Sequence, residues 1–268
     1  MKKKFAIGRP PSKSYVTAIN DWYAKGNYNT NRTINYHEAI KQHKQYVNSL
    51  KKMMIGVVEL PADESYPDGC FVQDPVLICE NEFLITNQFA PSRRGEYKQI
   101  AKKLTQFGLK SYKMTAGFCD GGDVMVTGDI KKAWVGISKR TNTPGFEIVK
   151  SFYNRHGYEV YSVPVSKCLH LLTGISYLGD KIFLVSALAD EKIKQFQKKY
   201  HLEMLKVPNH ENYAVNVISY NKIILMPQGF FGTERTLKSY GYKVLKTPMD
   251  EFEKADGGIT CLSLIFDC

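Results

Sequence analysis

No stretch of the 268-residue chain approaches about 18 consecutive apolar residues, so no helix is expected to span a membrane. The start, Met1-Lys2-Lys3-Lys4, offers only Phe5-Ala6-Ile7 before Gly8-Arg9-Pro10-Pro11. Without an apolar core it does not read as a secretory signal, and a cytoplasmic protein is expected. None of the six cysteines (Cys70, Cys79, Cys119, Cys168, Cys261, Cys268) stands in a CxxC pair; in a reducing compartment such a set reads as buried small hydrophobes with one reactive thiol among them. No linker rich in proline, glycine or serine divides the chain, so one domain over residues 1–268 is expected, long enough to bury a core without disulfides or metal. Acids are outnumbered, 26 Asp and Glu against 37 Lys and Arg, for a net charge of +11. That balance raises nucleic acid as a partner. The lysines, however, come in dispersed pairs such as Lys51-Lys52, Lys102-Lys103 and Lys198-Lys199 with acids between them, the pattern of a solvated surface. No nucleic-acid partner is expected.

What is present is a repeated shape: an apolar strand, a polar turn, a second strand, a helix-period stretch and a further strand. Residues 75–86 turn at Glu80-Asn81-Glu82, and residues 124–138 form a second hairpin. Residues 174–186 turn at Gly179-Asp180-Lys181 and residues 215–226 at Tyr220-Asn221-Lys222. Helices are expected over 94–107, 144–156, 189–200 and 233–240, with strands over 158–163 and 243–246. The hairpin starts recur at roughly 40 to 50 residues, the period of repeat architectures. Four units are visible, and the ends supply halves of a fifth. Lys4–Ile7, a helix over 36–53 and a strand over 55–60 lie at one end, and the unpaired strand 262–266 at the other. Pairing the two ends closes an α/β ring of five ββαβ units and removes its exposed edges. An ordinary α/β sandwich with unrelated hairpins is the competing architecture.

Functional groups in such rings gather where hairpins begin, at the mouth of the central channel. Here those junctions read Phe71-Val72-Gln73-Asp74-Pro75, Cys119-Asp120-Gly121-Gly122-Asp123, Cys168-Leu169-His170 and Asp256-Gly257-Gly258-Ile259-Thr260-Cys261. A thiol, an imidazole and carboxylates in one cleft suit nucleophilic catalysis, with the thiolate attacking and histidine moving a proton near neutral pH. A cysteine protease needs donors for an oxyanion. Asp74 and Asp120 instead suit a planar cation, because a guanidinium donates bidentate hydrogen bonds to carboxylates. Each residue also has a plainer reading: Cys261 as a core thiol, His170 as a satisfied buried histidine, Asp120 and Asp123 as turn formers beside glycine.

The run Val58-Glu-Leu-Pro-Ala-Asp-Glu-Ser-Tyr-Pro-Asp-Gly-Cys-Phe-Val-Gln-Asp74 resembles the signature of the dimethylarginine dimethylaminohydrolases. So do Ala90-Pro-Ser-Arg-Arg94, Asp120-Gly-Gly-Asp123, Ser138-Lys-Arg-Thr-Asn142, Leu169-His170, Ala214-Val-Asn216 and Asp256-Gly-Gly-Ile-Thr-Cys261, in order and over nearly the whole chain. The resemblance implies the five-fold pseudosymmetric α/β propeller of the guanidine-modifying enzymes, the pentein fold. It further implies Cys261 as nucleophile, His170 as general acid and base, and Asp120 as the carboxylate facing both the histidine and the substrate. Asp68 and Asp74 would hold the guanidinium, with Gln73 beside them, and Arg93 and Arg140 the amino-acid carboxylate. Ala255 would offer a main-chain contact, and Ile19 would sit on a lid over the substrate. The implied reaction is hydrolysis of Nω-methylated arginine, a small-molecule substrate, to citrulline and methylamine or dimethylamine through an S-alkylthiouronium, with no metal and no organic cofactor.

Two stretches depart from the pattern. Gln73-Asp74 replaces the usual Glu-Asp, dropping one negative charge while keeping the shape. Thr86-Asn-Gln-Phe-Ala90 replaces an Arg-Pro-Gly that usually precedes the alanine. Leu172, two residues after His170, stands where arginine deiminases and amidinotransferases carry an aspartate that clamps unmethylated guanidinium, and the absence of that aspartate favours the methylarginine hydrolase over those relatives. A hydrolase acting on arginine or another small guanidine stays open on the strength of Gln73. A non-catalytic binding propeller, as in a ribosome anti-association factor, would suit the charge but has no use for the Cys261, His170 and Asp120 set.

Overall fold

The computed structural model describes residues 3–20, 33–189 and 191–267. The apolar runs pair as the sequence anticipates. β1 (Lys4–Gly8) is followed by α1 (Tyr36–Lys52) and β2 (Gly56–Glu59). The next unit is β3 (Val76–Cys79), β4 (Glu82–Ile85), α2 (Tyr97–Gln106) and β5 (Lys110–Lys113). It is followed by β6 (Val124–Thr127), β7 (Lys132–Ile137), α3 (Thr143–Asn154) and β8 (Glu159–Pro164). Then come β9 (Ile175–Gly179), β10 (Ile182–Val185), α4 (Lys192–Tyr200) and β11 (Glu203–Lys206). β12 (Ile218–Tyr220), β13 (Ile223–Pro227), α5 (Phe231–Ser239) and β14 (Lys243–Thr247) precede a short α6 (Asp250–Glu253) and β15 (Ser263–Asp267).

Each unit is a three-stranded sheet in which the hairpin is antiparallel and the strand after the helix joins in parallel, a crossover that needs the intervening helix. The fifth sheet runs β15-β1-β2, so the two ends of the chain complete one unit between them. Lys4 pairs with Asp267 and Ile7 with Leu264 in antiparallel register, and a Lys4–Asp267 ion pair of 2.8 Å seals the seam. Two hairpin turns, Asp180-Lys181 and Asn221-Lys222, place both central residues at φ between 51° and 62°, the twist that matches flanking strands. Five hydrophobic clusters fill the spaces between units. One, for example, packs Phe146, Val149 and Phe152 of α3 on Val124 and Val135 of its own sheet and on Leu77 and Leu84 of the sheet before. The first strands β3, β6, β12 and β15 line a central cavity, which reaches Gln73, Gly121 and Thr260 at one end.

Helix limits differ from the sequence expectation for local reasons. α2 starts at Tyr97 rather than 94 because Pro91–Arg93 takes a one-turn 3-10 helix and Gly95 then turns the chain at φ +135°. α5 starts at Phe231 rather than 233 because the Glu211 carboxylate, from the 3-10 segment ahead of β12, accepts from Gly232 N and Thr233 N and so caps the first turn. Among the described residues no helix is long and apolar enough to cross a membrane.

α1 is set by Asn35, whose side chain accepts from His37 N and Glu38 N, and by a face of Ala39, His43, Tyr46, Val47 and Leu50 turned to the core. His43 is 1% exposed, and its Nε2 has no hydrogen-bond partner among the described residues. Burial pushes its pKa down from 6.5 to about 4. The nearest anion, a Glu59 oxygen 3.8 Å away on a half-exposed side chain, does not offset this. The unfolded chain therefore takes up a proton below about pH 6.5 that the folded chain refuses until about pH 4. Stability present above pH 6.5 is lost as pH falls through that window, by about 3 kcal/mol in all. Urea unfolding at pH 7.5 and 4.5 should show a smaller acid loss for His43→Gln than for the parent, by most of that amount.

Candidate active site

The junction loops become site walls because short 3-10 turns aim their side chains inward. Ahead of β3, the Asp74 carbonyl accepts from Thr86 Oγ1 and Gly121 N, fixing this loop to the next unit's. The Asp74 carboxylate accepts from Arg93 Nη1 at 2.8 Å and from Gly122 N at 2.8 Å. Gly122 leaves no room for a side chain: a Cβ there would lie 2.8 Å from His170 Nδ1 and 3.2 Å from Asp74 Oδ1. The glycine lets imidazole and carboxylate share one wall.

Arg93, 4% exposed, forks onto Glu96 through Nε at 3.0 Å and Nη2 at 2.8 Å, and Nη2 also donates to the Phe71 carbonyl. Burial alone would lower its pKa; Glu96 and Asp74 outweigh that and hold the guanidinium charged. In return, although burial pushes the Asp74 carboxyl up, Arg93 and His170 bring it below the ordinary carboxylate range. Asp120, fully buried, accepts from Phe89 N at 3.3 Å and from Arg140 Nη1 at 3.2 Å. Its Oδ2 also stands 3.6 Å from His170 Nε2, which has no hydrogen-bond partner among the described residues. Burial by itself would lower the His170 pKa, but Asp123, Asp120 and Asp74 together raise it, so the imidazolium is favoured.

Asp123 ties three loops together. It accepts from Ser138 Oγ at 2.6 Å, Thr141 Oγ1 at 2.7 Å and Leu171 N at 3.0 Å, and burial raises its own pKa to about 6. Cys261 sits in the 3-10 turn Thr260–Leu262 ahead of β15 and is half-buried, with Gly258 N 3.4 Å from its sulfur. Asn216 pins that turn: its Oδ1 accepts from Thr260 N at 2.8 Å, while its Nδ2 donates to the Leu172 carbonyl and to Thr260 Oγ1. Burial, then the nearby Asp74 charge, pushes the Cys261 thiol up to about 12.

One recess of about 340 Å³ gathers Ile19, Asp68, Asp74, Arg93, Arg140, His170, Ala255 and Cys261. Asp68 accepts from Ile19 N at 3.1 Å. Residues 21–32 lie outside the described residues, as does Cys268. Asp120 stands behind His170, off the recess surface. Gln73 faces away from the recess, toward Thr260, whose Oγ1 donates to Gln73 Oε1 at 2.9 Å. Glu96, Asp123, Asn216 and Thr260 carry the site's framework and had no assigned part in the sequence reading. The only signal for Glu96 was its spacing of three from Arg93, which on its own reads as a surface helix pair. Cys168 is buried and donates to the His170 carbonyl, which fixes the histidine loop.

The arrangement presents a thiol to anions rather than to oxyanion donors, in a recess it shares with the buried His170 imidazole, Asp68, Asp74 and the two arginines. It suits capture of a zwitterion that carries a planar cation.

A sequence model of the family described as N,N dimethylarginine dimethylhydrolase, eukaryotic, matches residues 12–264. The chain is 32% identical over 265 residues to the N(G),N(G)-dimethylarginine dimethylaminohydrolase of Pseudomonas aeruginosa, covering 98% of this chain and 99% of that one. It is 30% identical over 227 residues to the enzyme of the same name from Streptomyces coelicolor, covering 84% and 85%. Among solved structures, a cysteine-to-serine mutant of the Pseudomonas aeruginosa enzyme complexed with citrulline superposes with a TM-score of 0.88 at 31% identity, covering 99% of this chain and 100% of that one. The N-terminal domain of ArgZ, an arginine dihydrolase of cyanobacteria, superposes at 0.86 with 20% identity over 98% and 97% of the two chains, a likeness of fold alone. The five three-stranded units are those of the pentein propeller, and the chain belongs to the dimethylarginine dimethylaminohydrolase family, hydrolases that act on carbon–nitrogen bonds.

Proposed function

We propose that the protein hydrolyses Nω-methylated L-arginine to L-citrulline and methylamine or dimethylamine, with Cys261 as nucleophile. The observation that carries this reading is the placing of a half-buried thiol among carboxylates, with His170 beside it, in a recess that also holds Arg93 and Arg140. Asp74 takes the guanidinium. Arg140 takes the α-carboxylate, helped by the one Nη1–H that Arg93 has left after its bonds to Asp74, Glu96 and Phe71. Asp68, bonded to Ile19 N, takes the α-ammonium, and the Ala255 backbone closes the same wall. Asp120 and Asp123 keep His170 charged.

At rest the thiol is protonated, and the surrounding carboxylates favour the charged imidazole. An incoming guanidinium offsets the Asp74 field, and the thiol proton leaves to solvent. The thiolate sulfur bonds the guanidinium carbon, His170 gives its proton to the alkylamine nitrogen, and the C–N bond breaks, leaving a cationic S-alkylthiouronium and a neutral imidazole. Water then bonds the same carbon and the C–S bond breaks. Two protons are released, one to His170 and one to solvent, and citrulline and the thiolate remain. No tetrahedral oxyanion forms in the first step, which fits a pocket of carboxylates. Cytoplasmic action is part of the proposal: the described cysteines are all free, which suits a reducing compartment.

The test is citrulline formation from asymmetric dimethylarginine, monomethylarginine and arginine in parallel, with Cys261→Ser as control. Turnover of the methylated substrates, at least 10²-fold lower in the variant, is expected. Arginine turned over best would reassign the substrate, in keeping with the neutral Gln73. Citrulline from none of the three would overturn the reading.

A further inference from the structure

Beside the recess lies a second, partly open cavity, lined by Gln73, Leu172, Leu188 and Asn216 where the recess is lined by Arg93 and Arg140. The two meet at Leu169, His170, Asp256 and Cys261, which line both. A substrate held by its amino-acid end at Asp68 and Arg140, with its guanidinium carbon at Cys261, therefore points its outermost nitrogen into this second space.

We propose that this cavity is the amine-side subsite and that it accepts Nω-alkyl groups larger than methyl, up to propyl. The inference rests on the methylarginine reading above and extends its substrate class. Leu172, Leu188 and Tyr213 give the space aliphatic and aromatic walls. The polar side chains at its inner end are turned on one another: Gln73 Oε1 accepts from Thr260 Oγ1, which in turn accepts from Asn216 Nδ2, and Asn216 also holds Thr260 N. Leu172, 8% exposed, presents a hydrocarbon wall that rewards alkyl burial, about fourfold in affinity per methylene, and offers an N–H no acceptor. Glu253 and Asp256 line the same cavity and suit departure of the product, which is an alkylammonium cation once protonated. The chemistry is unchanged: sulfur bonds to carbon, the bond from carbon to the alkylamine nitrogen breaks, and the amine leaves with the proton of His170.

The experiment uses the full chain with Nω-methyl-, Nω-ethyl- and Nω-propyl-arginine, all of which release citrulline. The propyl-to-methyl ratio of kcat/KM is expected to stay above one third in the parent and to fall at least tenfold in Leu188→Trp, which narrows the chamber from a half-buried position. Because a ratio is read, partial loss of folded protein cancels. A parent ratio below one third, or a ratio unmoved by Leu188→Trp, overturns the subsite. Citrulline from none of the three, the methyl substrate included, overturns the underlying reading and the subsite with it.

Discussion

Exchanging His170 for glutamine is expected to cut kcat/KM for methylated arginine by about 10²–10⁴-fold, the range that positioned proton transfer contributes. The loss should depend on what leaves. An amine departs from the guanidinium carbon only as it gains a proton, and in the proposed mechanism His170, buried beside Asp120, gives it. An analogue in which methanethiol replaces the leaving amine needs no such proton, because a thiolate is a competent leaving group. His170→Gln should therefore still let Cys261 form its covalent adduct from that analogue, seen by mass spectrometry, while release of citrulline stalls for want of a base to activate water. Equal losses on the amine and thiol substrates would place His170 outside the proton path.

The second large effect concerns Arg93. Its replacement by leucine strands Glu96 and Asp74, both nearly inaccessible to solvent, without their shared cation. Breaking one side of a buried ion pair costs about 3–5 kcal/mol. Urea unfolding at pH 7 should show a loss of that size in Arg93→Leu. A smaller loss is expected in Arg93→Leu/Glu96→Leu, where one orphaned charge has been removed together with its partner. The pH dependence has a definite sign. In the single variant the stranded carboxyls titrate higher in the folded than in the unfolded chain, so the deficit shrinks as pH falls from 7 toward 5. A double variant as unstable as the single would mean that Arg93 acts through packing alone.

The sheets were legible because each hairpin is an apolar run around two or three polar residues. The closing sheet was legible because Leu262–Phe266 and Lys4–Ile7 each lacked a partner, and β15 and β1 do pair. The site was legible only as residue types at hairpin starts. What the sequence hid is a set of one-turn 3-10 helices, Pro91–Arg93 ahead of α2 and Gly121–Asp123, Leu171–Thr173 and Thr260–Leu262 at those starts. Such turns have no periodicity to read, yet each one decides where a side chain points. The first buries Glu96 against Arg93, where a surface pair would be read from spacing. The last turns Gln73 toward Thr260 and away from the recess that its neighbour Asp74 lines. Asn216 was visible within a motif, but its hydrogen bonds join loops 44 residues apart, which local pattern cannot reveal.

The sheet shared by the first and last strands has a topological consequence. With Lys4 beside Asp267, the polypeptide traces a circle whose cut falls inside one unit, between β15 and β1. A short peptide joining these ends would make a continuous loop. New termini could then be opened at the Asp180-Lys181 or Asn221-Lys222 turn, leaving every strand pair and every junction loop of the candidate site intact. In such a ring the order of the units and the place of the cut are independent, and a circularly permuted chain is expected to keep the same strand pairing.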